Sequence, residues 1–157
     1  MADSLYEHDV LAWSEQQAQT LRRLARGERV NDAVDWLHLI EEVEDLGRSE
    51  LRACESLLVQ ALLHLLKIVA APDDPALRHW KVEAYGFLAD AGRAFSPSMR
   101  QRIHLPSLYA DALARARLSI IAKEGTDALP GECPFALDDL FAAPLDLGPL
   151  LARLAVE

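Results

Sequence analysis

The sequence is poor in cysteine, glycine and proline, and each shortage excludes a class of protein. Two cysteines in 157 residues are too few for the disulfide framework of a small secreted scaffold, and they form no Cys-x-x-Cys pair. Seven glycines and eight prolines are too few for a collagenous or low-complexity chain. We therefore expect Cys54 and Cys133 to be reduced, buried thiols in a globular protein.

Basic residues are also scarce. Sixteen Lys and Arg against 25 Asp and Glu give a net charge of −9, which disfavours binding to nucleic-acid phosphate or anionic lipid. The arginines at positions 22, 23, 26 and 29 are predicted to close a helix, where they complement its macrodipole. The N-terminus is acidic where a signal peptide needs positive charge. His64 and Lys67 interrupt the most apolar stretch, so no membrane span is predicted. The expectation is a soluble cytoplasmic protein.

Apolar residues, by contrast, make up 51 % of the chain and recur at helical spacing. Ser4 and Glu7 have the form of a capping box, and an amphipathic helix of about 22 residues is predicted from there to Gly27. A second apolar stripe runs from Trp36 to Ile68 in steps of three or four residues. Its register does not change at the glycine of position 47, which predicts one long helix over roughly 33–70 in which this glycine permits close approach of another helix.

Turn residues mark the remaining helices. A further helical pattern begins at or just after each of four residues: Asp74, Ser96, Pro106 and Pro134. Gly125 is predicted to end the helix that begins at Pro106. A last short helix is predicted near the C-terminus. No alternating strand pattern or internal repeat interrupts this series.

The predicted fold is all-α: a single helical bundle-like domain over 1–157 with one long central helix. Its core is expected in 4–125, followed by an irregular C-terminal segment of loop and short helices over 126–157. The three tryptophans, at positions 13, 36 and 80, lie at helical spacings and are predicted to be core residues.

Several pieces of the sequence are distinctive and follow one another along nearly the whole chain: Tyr6, Glu7, Asp9 and Trp13; Asp35 to Glu50; His64 to Lys67; His79 with Trp80; Ser96 to Ser98; Leu108 to Ala112; and Glu132 to Phe135. Together they resemble the bacterial domain-of-unknown-function family 29. The resemblance implies a single helical domain and brings no known activity with it.

One acidic segment of the long helix has spacing that suits a metal site. His38, Glu41, Glu42 and Asp45 project to one side within about two turns. Clustered carboxylates and a histidine are typical ligands of divalent cations in helical bundles. A bundle site needs equivalent ligands from a second helix, and no repeated Glu-x-x-His supplies them, so any metal or other cofactor stays open.

The alternative for this segment is a charged face in water. Glu44 and Arg48 are four residues apart in the favourable order for an ion pair. On this interpretation the side chains of Glu41 and Glu44 are exposed to solvent. Glu42 lies beside the apolar stripe, where a functional site and a solvated position are equally plausible.

Two polar residues fall on or beside the apolar stripe itself. Glu50 and His64 each need a partner if they are buried. An arginine of the first helix is proposed for Glu50, and a backbone carbonyl, a carboxylate such as Asp9, or Lys67 for His64. The candidate functional polar residues are thus His38, Glu41, Glu42, Asp45, Glu50, His64 and Lys67.

Two functions compete. The leading hypothesis is a non-enzymatic module that self-associates as a homo-oligomer or binds a protein partner. The alternative is a metal-dependent hydrolase. The segment IEEVEDLG resembles the Leu-x-Glu-Glu-x-x-Glu-Leu motif of all-α nucleoside-triphosphate pyrophosphohydrolases, whose carboxylates hold Mg²⁺. These enzymes need a second Glu-x-x-Asp, and the one such spacing, from Glu124 to Asp127, straddles the predicted helix end at Gly125. No catalytic residue is assigned.

Overall fold

The structure, a computed structural model, describes residues 2–120 and 123–155, with only the backbone described for residues 2–4, 123 and 124. All regular structure in these ranges is helical, which confirms the all-α prediction. The α-helices are α1 (Ala2–His8), α2 (Val10–Ala25), α3 (Trp36–Ala70), α4 (Leu77–Ala94), α5 (Leu105–Ser119), α6 (Lys123–Asp127), α7 (Leu137–Leu140) and α8 (Leu147–Leu154). Short 3₁₀ helices occupy Asn31–Ala33 and Pro97–Met99.

The contacts divide the chain into two compact units, Met1–Arg48 and Ser49–Glu157. Helix α3, with 35 residues, is continuous and contributes to both. The first unit contains α1, α2 and the beginning of α3, and the second contains the rest of α3 and all later helices. The single domain predicted over 1–157 stays a prediction.

The first unit begins with two helices where one was predicted. At Asp9 the backbone leaves the helical region (φ −151°, ψ 80°), and its carboxylate accepts a hydrogen bond of 2.9 Å from the Ala12 N–H. A side chain that caps a new helix in this way competes with continuation of the old one. The predicted capping box involves the side chain of Ser4, which lies outside the described residues. Gly27, with φ +85°, follows the end of α2 as predicted.

Helix α3 confirms the long helix predicted over roughly 33–70, although it starts at Trp36. The start is later because Asn31–Ala33 form a 3₁₀ turn and Val34 is extended. The helix runs through Gly47 without a break, but apart from the chain neighbours and the adjacent helix backbone no described atom lies within 4 Å of the position that a Cβ would occupy there. The predicted approach of another helix at Gly47 is therefore wrong within the chain.

The core of the second unit is built around the C-terminal part of α3. Full burial of a leucine contributes about 1.5–3 kcal/mol, and α3 supplies four leucines that are completely buried, together with Cys54: Leu58, Leu62, Leu65 and Leu66. Helices α4, α5, α7 and α8 pack buried side chains into the same cluster: Leu88, Tyr109, Leu140 and Leu154. The C-terminal segment predicted to be irregular thus supplies part of this core.

The prediction that Gly125 ends a long helix is wrong. Helix α5 ends at Ser119, and Ile120 is extended and buried. Gly125 lies within α6, where an added Cβ would come 2.0 Å from the carbonyl oxygen of Ala70 at the end of α3. The glycine is needed for close approach of two backbones.

Contrary to the expectation from the sequence, one stretch is long and apolar enough to cross a membrane by length and composition alone. Helix α3 contains a window with mean hydropathy 1.6, and 56 % of that window is buried inside the protein. A core helix passes the same test of length and composition. The cytoplasmic location stays a prediction.

The tryptophans and cysteines divide between core and surface. Trp13 is buried and Trp80 half-buried, but Trp36 is 49 % exposed, so its predicted core position is wrong. Both cysteines are free, Cys54 buried and Cys133 half-buried. Burial raises the pKa of both thiols, as expected for unreactive structural cysteines.

Candidate functional site

A group of polar and aromatic side chains surrounds the start of α3 in the first unit. We call it the Asp35 cluster, and it consists of Tyr6 from α1, Trp13 and Gln17 from α2, Asp35, and His38 and Glu42 from α3. The cluster thus joins three consecutive segments of the chain.

Asp35 is the centre of the cluster. Its Oδ2 accepts a hydrogen bond of 3.0 Å from the indole Nε1–H of Trp13 and lies 2.7 Å from Nδ1 of His38. The Asp35 backbone N–H donates to Oε1 of Gln17, a buried side chain, over 2.9 Å. With only 7 % of its side chain exposed, Asp35 needs these partners, because an unpaired buried carboxylate is costly.

Opposing effects act on the ionisation of Asp35. Burial by itself raises the pKa of the carboxyl, but the hydrogen bonds from His38 and Trp13 outweigh it and hold the pKa below its usual value. The group is therefore a carboxylate at neutral pH. Because an ionised carboxylate can only accept hydrogen bonds, Nδ1 of His38 carries a hydrogen.

Aromatic contacts hold the imidazole from another side. The Tyr6 ring stacks on His38 with centroids 3.9 Å apart and planes inclined by 22°. The rings of Trp13 and Tyr6 pack edge to face, with centroids 4.9 Å apart and planes inclined by 72°. Hydrogen bonding and stacking together fix the orientation of His38.

Tyr6 also reaches Glu42, one turn further along α3. Its hydroxyl donates a hydrogen bond of 2.6 Å to Oε1 of Glu42. This bond, with the nearby carboxylate charges, raises the pKa of Tyr6 to about 12. The hydroxyl therefore stays protonated and keeps donating over the whole physiological range.

The chemistry of the cluster suits a structural role, in which it holds α1 and α2 to the beginning of α3. Its carboxylates, hydroxyl, indole and amide bind one another, and each bond connects α1 or α2 to the beginning of α3. Such a partly buried network favours one arrangement of the segments it links.

The predicted acidic site is divided between two sides of α3. His38 and Glu42 belong to the Asp35 cluster, whereas Glu41 and Asp45 are exposed. Arg48 binds Asp45 at 2.6 Å and Glu44 at 3.5 Å. The ion pair predicted between Glu44 and Arg48 is confirmed, and the hydrogen bond to Asp45 is the main reason that the pKa of Arg48 is raised.

Glu50 needs no buried partner. Its side chain is exposed, so the condition on which a partner such as an arginine of the first helix was expected, burial of Glu50, is not met. The reason is that α3 becomes buried only further along, from Cys54 onward.

His64 and Lys67 lie in the second unit and make contacts of their own. Nδ1 of His64 lies 2.7 Å from the carbonyl oxygen of Gln60, one of the partners predicted for it. Burial lowers the pKa of His64, with Lys67 adding to the effect. The ammonium of Lys67 lies 5.7 Å from the ring centre of Trp80, a cation–π contact.

The described side chains contain no group of three His, Cys, Asp or Glu that could hold a metal ion. The Glu124 side chain, half of the second carboxylate motif considered from the sequence, lies outside the described residues. Within the described part of the chain, α3 therefore lacks the second set of ligands that a bundle metal site requires.

Sequence reasoning missed Tyr6, Trp13, Gln17 and Asp35 as members of one cluster. The position of Asp35 could have been recognised from the sequence. It lies at a helix start, where a carboxylate can cap the helix, and three residues before His38, which places the two side chains next to each other. The contacts from α1 and α2 join residues at least 18 positions apart, and no local pattern encodes them.

A second feature of the same unit is an exposed apolar surface on α3. Five large apolar side chains there are 49–73 % exposed. We call them the α3 face: Trp36, Leu37, Ile40, Val43 and Leu46. The stripe that predicted a packed helix is thus buried in the C-terminal part of α3 and open to solvent in the N-terminal part.

Comparison with known proteins gives a family but no activity. The family model described as "Domain of unknown function DUF29" matches residues 5–144. A crystal structure of an alpha-helical protein of unknown function from Rhodospirillum rubrum is similar to the chain, with 30 % identity and a TM-score of 0.73, over 96 % of this chain and 98 % of that one. No protein of curated function matches. The family match includes the Asp35 cluster, most of the second unit and the whole of α3, and the chain belongs to the DUF29 family.

Proposed function

We propose that this protein is a non-enzymatic interaction module that binds a protein through the α3 face. The observation that carries the proposal is the exposure of five large apolar side chains along a few turns of one helix. Single exposed apolar residues are ordinary, but a contiguous group of this size typically marks an interaction site.

The Asp35 cluster supports the proposal by fixing the helix that presents the face. Asp35 hydrogen-bonds to α2, and Glu42 and His38 contact Tyr6 of α1. Trp36, Ile40 and Val43 of the same helix are left exposed. A surface held on a rigid element loses little conformational entropy when a partner binds.

The alternative, a metal-dependent hydrolase, has less support. Glu41, Glu44 and Asp45 are exposed, and Arg48 pairs with two of them. A cation bound to these carboxylates would have to compete with the arginine and find further ligands elsewhere.

A photo-activated cross-linking residue in place of Val43, 70 % exposed on the α3 face, tests the proposal in cells. We expect a discrete adduct, either with a second copy or with another protein. The matched control replaces Leu118, which is 90 % exposed on α5, and should give no discrete adduct.

Absence of any adduct specific to position 43 would contradict the proposal. Both replaced residues are exposed, so neither change should disturb the fold, and circular dichroism of the purified variants verifies this.

A further inference from the structure

We infer that the partner of the α3 face is a basic amphipathic helix, whose apolar stripe packs on the face and whose lysine or arginine residues lie beside that stripe. The inference rests on the proposed function and adds the chemistry of the partner. Three features of the face support it: the register of its apolar side chains, the sign of the charges beside them and the open space at Gly47.

The register of the face is that of one half of a contact between two helices. Trp36, Ile40 and Val43 follow one another at spacings of four and three residues, as side chains do where a helix packs on another helix. Leu37 and Leu46 widen this stripe on either side. The five side chains extend over about 15 Å of α3, or nearly three turns. A second helix of similar length covers such a surface.

Carboxylates border the stripe on one side. Glu41 lies four residues, or about one turn, after Leu37 on the same side of the helix. Glu44 stands in the same relation to Ile40. Both carboxylates are exposed. Where two helices pack, the charges beside the apolar stripe pair across the contact and determine which partner is accepted. Acidic residues at these positions are complemented by basic residues on the partner.

The local charge stays negative although Arg48 neutralises part of it. Residues 36–48 contain four carboxylates against one arginine, which leaves three negative charges when histidine is neutral. Arg48 binds Asp45 at 2.6 Å but lies 3.5 Å from Glu44, a long and weak contact. Glu44 is 61 % exposed, and its carboxylate has room to accept a hydrogen bond from a cation of the partner.

The same charges disfavour two other occupants. A second copy of the chain, paired face to face, would bring its own Glu41 and Glu44 to a contact that is already rich in carboxylates, and like charges side by side weaken association. An anionic lipid surface would be repelled for the same reason. A basic helix complements both the apolar and the charged part of the surface.

Gly47 leaves room for the partner to approach. It follows Val43 by four residues on the same side of α3. Apart from the chain neighbours and the adjacent helix backbone, no described atom lies within 4 Å of the position that a Cβ would occupy there. A glycine beside an apolar stripe lets the backbone of a second helix come close. The partner then makes the close approach that no helix of this chain makes.

Binding of a model peptide tests the chemistry of the partner. The probe is a synthetic amphipathic helix of about 18 residues built from leucine and lysine, long enough to be helical and to cover the face. Its matched control has glutamate at every lysine position. At physiological salt the full chain should bind the lysine peptide at least about tenfold more tightly than the control, measured by fluorescence anisotropy of the labelled peptides. Equal affinities overturn the inference.

Two double variants place the peptide on the α3 face. Ile40→Ser/Val43→Ser removes apolar contact, and Glu41→Lys/Glu44→Lys reverses the charge beside it. Each should weaken binding of the lysine peptide at least about tenfold. All four residues are exposed, so the fold should be kept, which circular dichroism verifies. Undiminished binding by either folded variant overturns the inference.

The matched controls make the same changes at exposed positions elsewhere: Val82→Ser/Leu118→Ser and Glu15→Lys/Glu132→Lys. The second control alters the net charge as much as the reversal on α3 does. Because charges remote from the contact are largely screened at physiological salt, both controls should bind the lysine peptide within about twofold of the wild type. A loss as large as that of the α3 variants would show that the peptide binds the acidic protein as a whole, which contradicts the inference.

Trp36 provides a signal from the contact itself. It is 49 % exposed on the face, whereas Trp13 is buried. Covering its indole with an apolar stripe should shift the tryptophan emission of the protein to shorter wavelength when the lysine peptide binds. Trp36→Phe, which keeps an aromatic side chain, should still bind the peptide but give no shift. A shift that persists in this variant places the peptide elsewhere and overturns the inference.

The inference and the proposed function fail separately. Mass spectrometry of the position-43 adduct from cells identifies the cross-linked segment. A segment with an apolar stripe and clustered lysine or arginine supports the inference. A second copy of the chain, or a segment without basic residues, overturns the inference but still supports the interaction module.

Discussion

At the scale of single residues, Asp35 joins several partners within the first unit. Its carboxylate binds an indole and an imidazole while its backbone binds Gln17. A carboxylate that is mostly removed from water and keeps a lowered pKa stabilises the folded state only in its ionised form.

We expect Asp35→Asn to lower the free energy of unfolding at neutral pH by about 1–3 kcal/mol, because it replaces charge-assisted hydrogen bonds by neutral ones. The folded pKa lies below the unfolded one, so the contribution is full above the unfolded value of about 4 and disappears as the pH falls through the folded value. Urea unfolding of wild type and variant at a series of pH values should show the two converging in acid.

Asp32→Asn is the control, since Asp32 is exposed in the preceding 3₁₀ helix. Its effect should be within about 0.5 kcal/mol. If the difference between wild type and Asp35→Asn does not shrink in acid, the ionised form of Asp35 is not what stabilises the cluster.

At the scale of elements, glycines with similar helical contexts have opposite roles. Gly125 in α6 has the carbonyl of Ala70 where a Cβ would go. Around Gly86 in α4, no described atom beyond the chain neighbours and the adjacent helix backbone lies within 4 Å of that position. Helix propensity alone treats the two alike, and only the packing of α6 on the end of α3 separates them.

Gly125→Ala is therefore expected to destabilise the protein by about 1–3 kcal/mol, because backbone must move to accept the methyl group. Gly86→Ala should stabilise it by up to about 1 kcal/mol, the usual gain in a helix interior. Thermal unfolding of the two variants beside the wild type measures both. Equal shifts of the same sign would show that the contact with Ala70 does not constrain α6.

At the scale of the whole molecule, charge and ligand geometry bear on the hydrolase alternative. The acidic residues outnumber the basic ones by nine, but two of the exposed carboxylates of α3, Glu44 and Asp45, are paired with Arg48. A negative chain attracts cations weakly everywhere, and a specific site needs several ligands at one place.

We expect Mg²⁺, Mn²⁺ and Zn²⁺ to leave the melting temperature unchanged in the wild type and in the Glu41→Gln/Glu42→Gln double variant alike. A ligand at 100 times its dissociation constant would add about 2.7 kcal/mol to the free energy of unfolding. A metal-dependent rise in the wild type that the double variant lacks would favour the hydrolase over the interaction module.

The sequence by itself determined the helical class, the continuity of α3 through Gly47 and the ion pair of Glu44 with Arg48. All three depend on residues a few positions apart, and helical periodicity encodes such neighbours directly. The turns and helices after Pro72 follow in part for the same reason, but the helix predicted from Pro106 to Gly125 is divided into α5 and α6.

Only the tertiary structure decided which part of the α3 stripe is covered. An apolar register predicts that a helix has a face to bury but does not say what lies against it, so Leu62 and Val43 look alike in sequence and differ in burial. The Asp35 cluster is also a tertiary product, because Tyr6, Trp13 and His38 meet only when three segments pack. The acidic stretch at 41–45 divides accordingly: Glu42 binds Tyr6, and Glu41 and Asp45 face water.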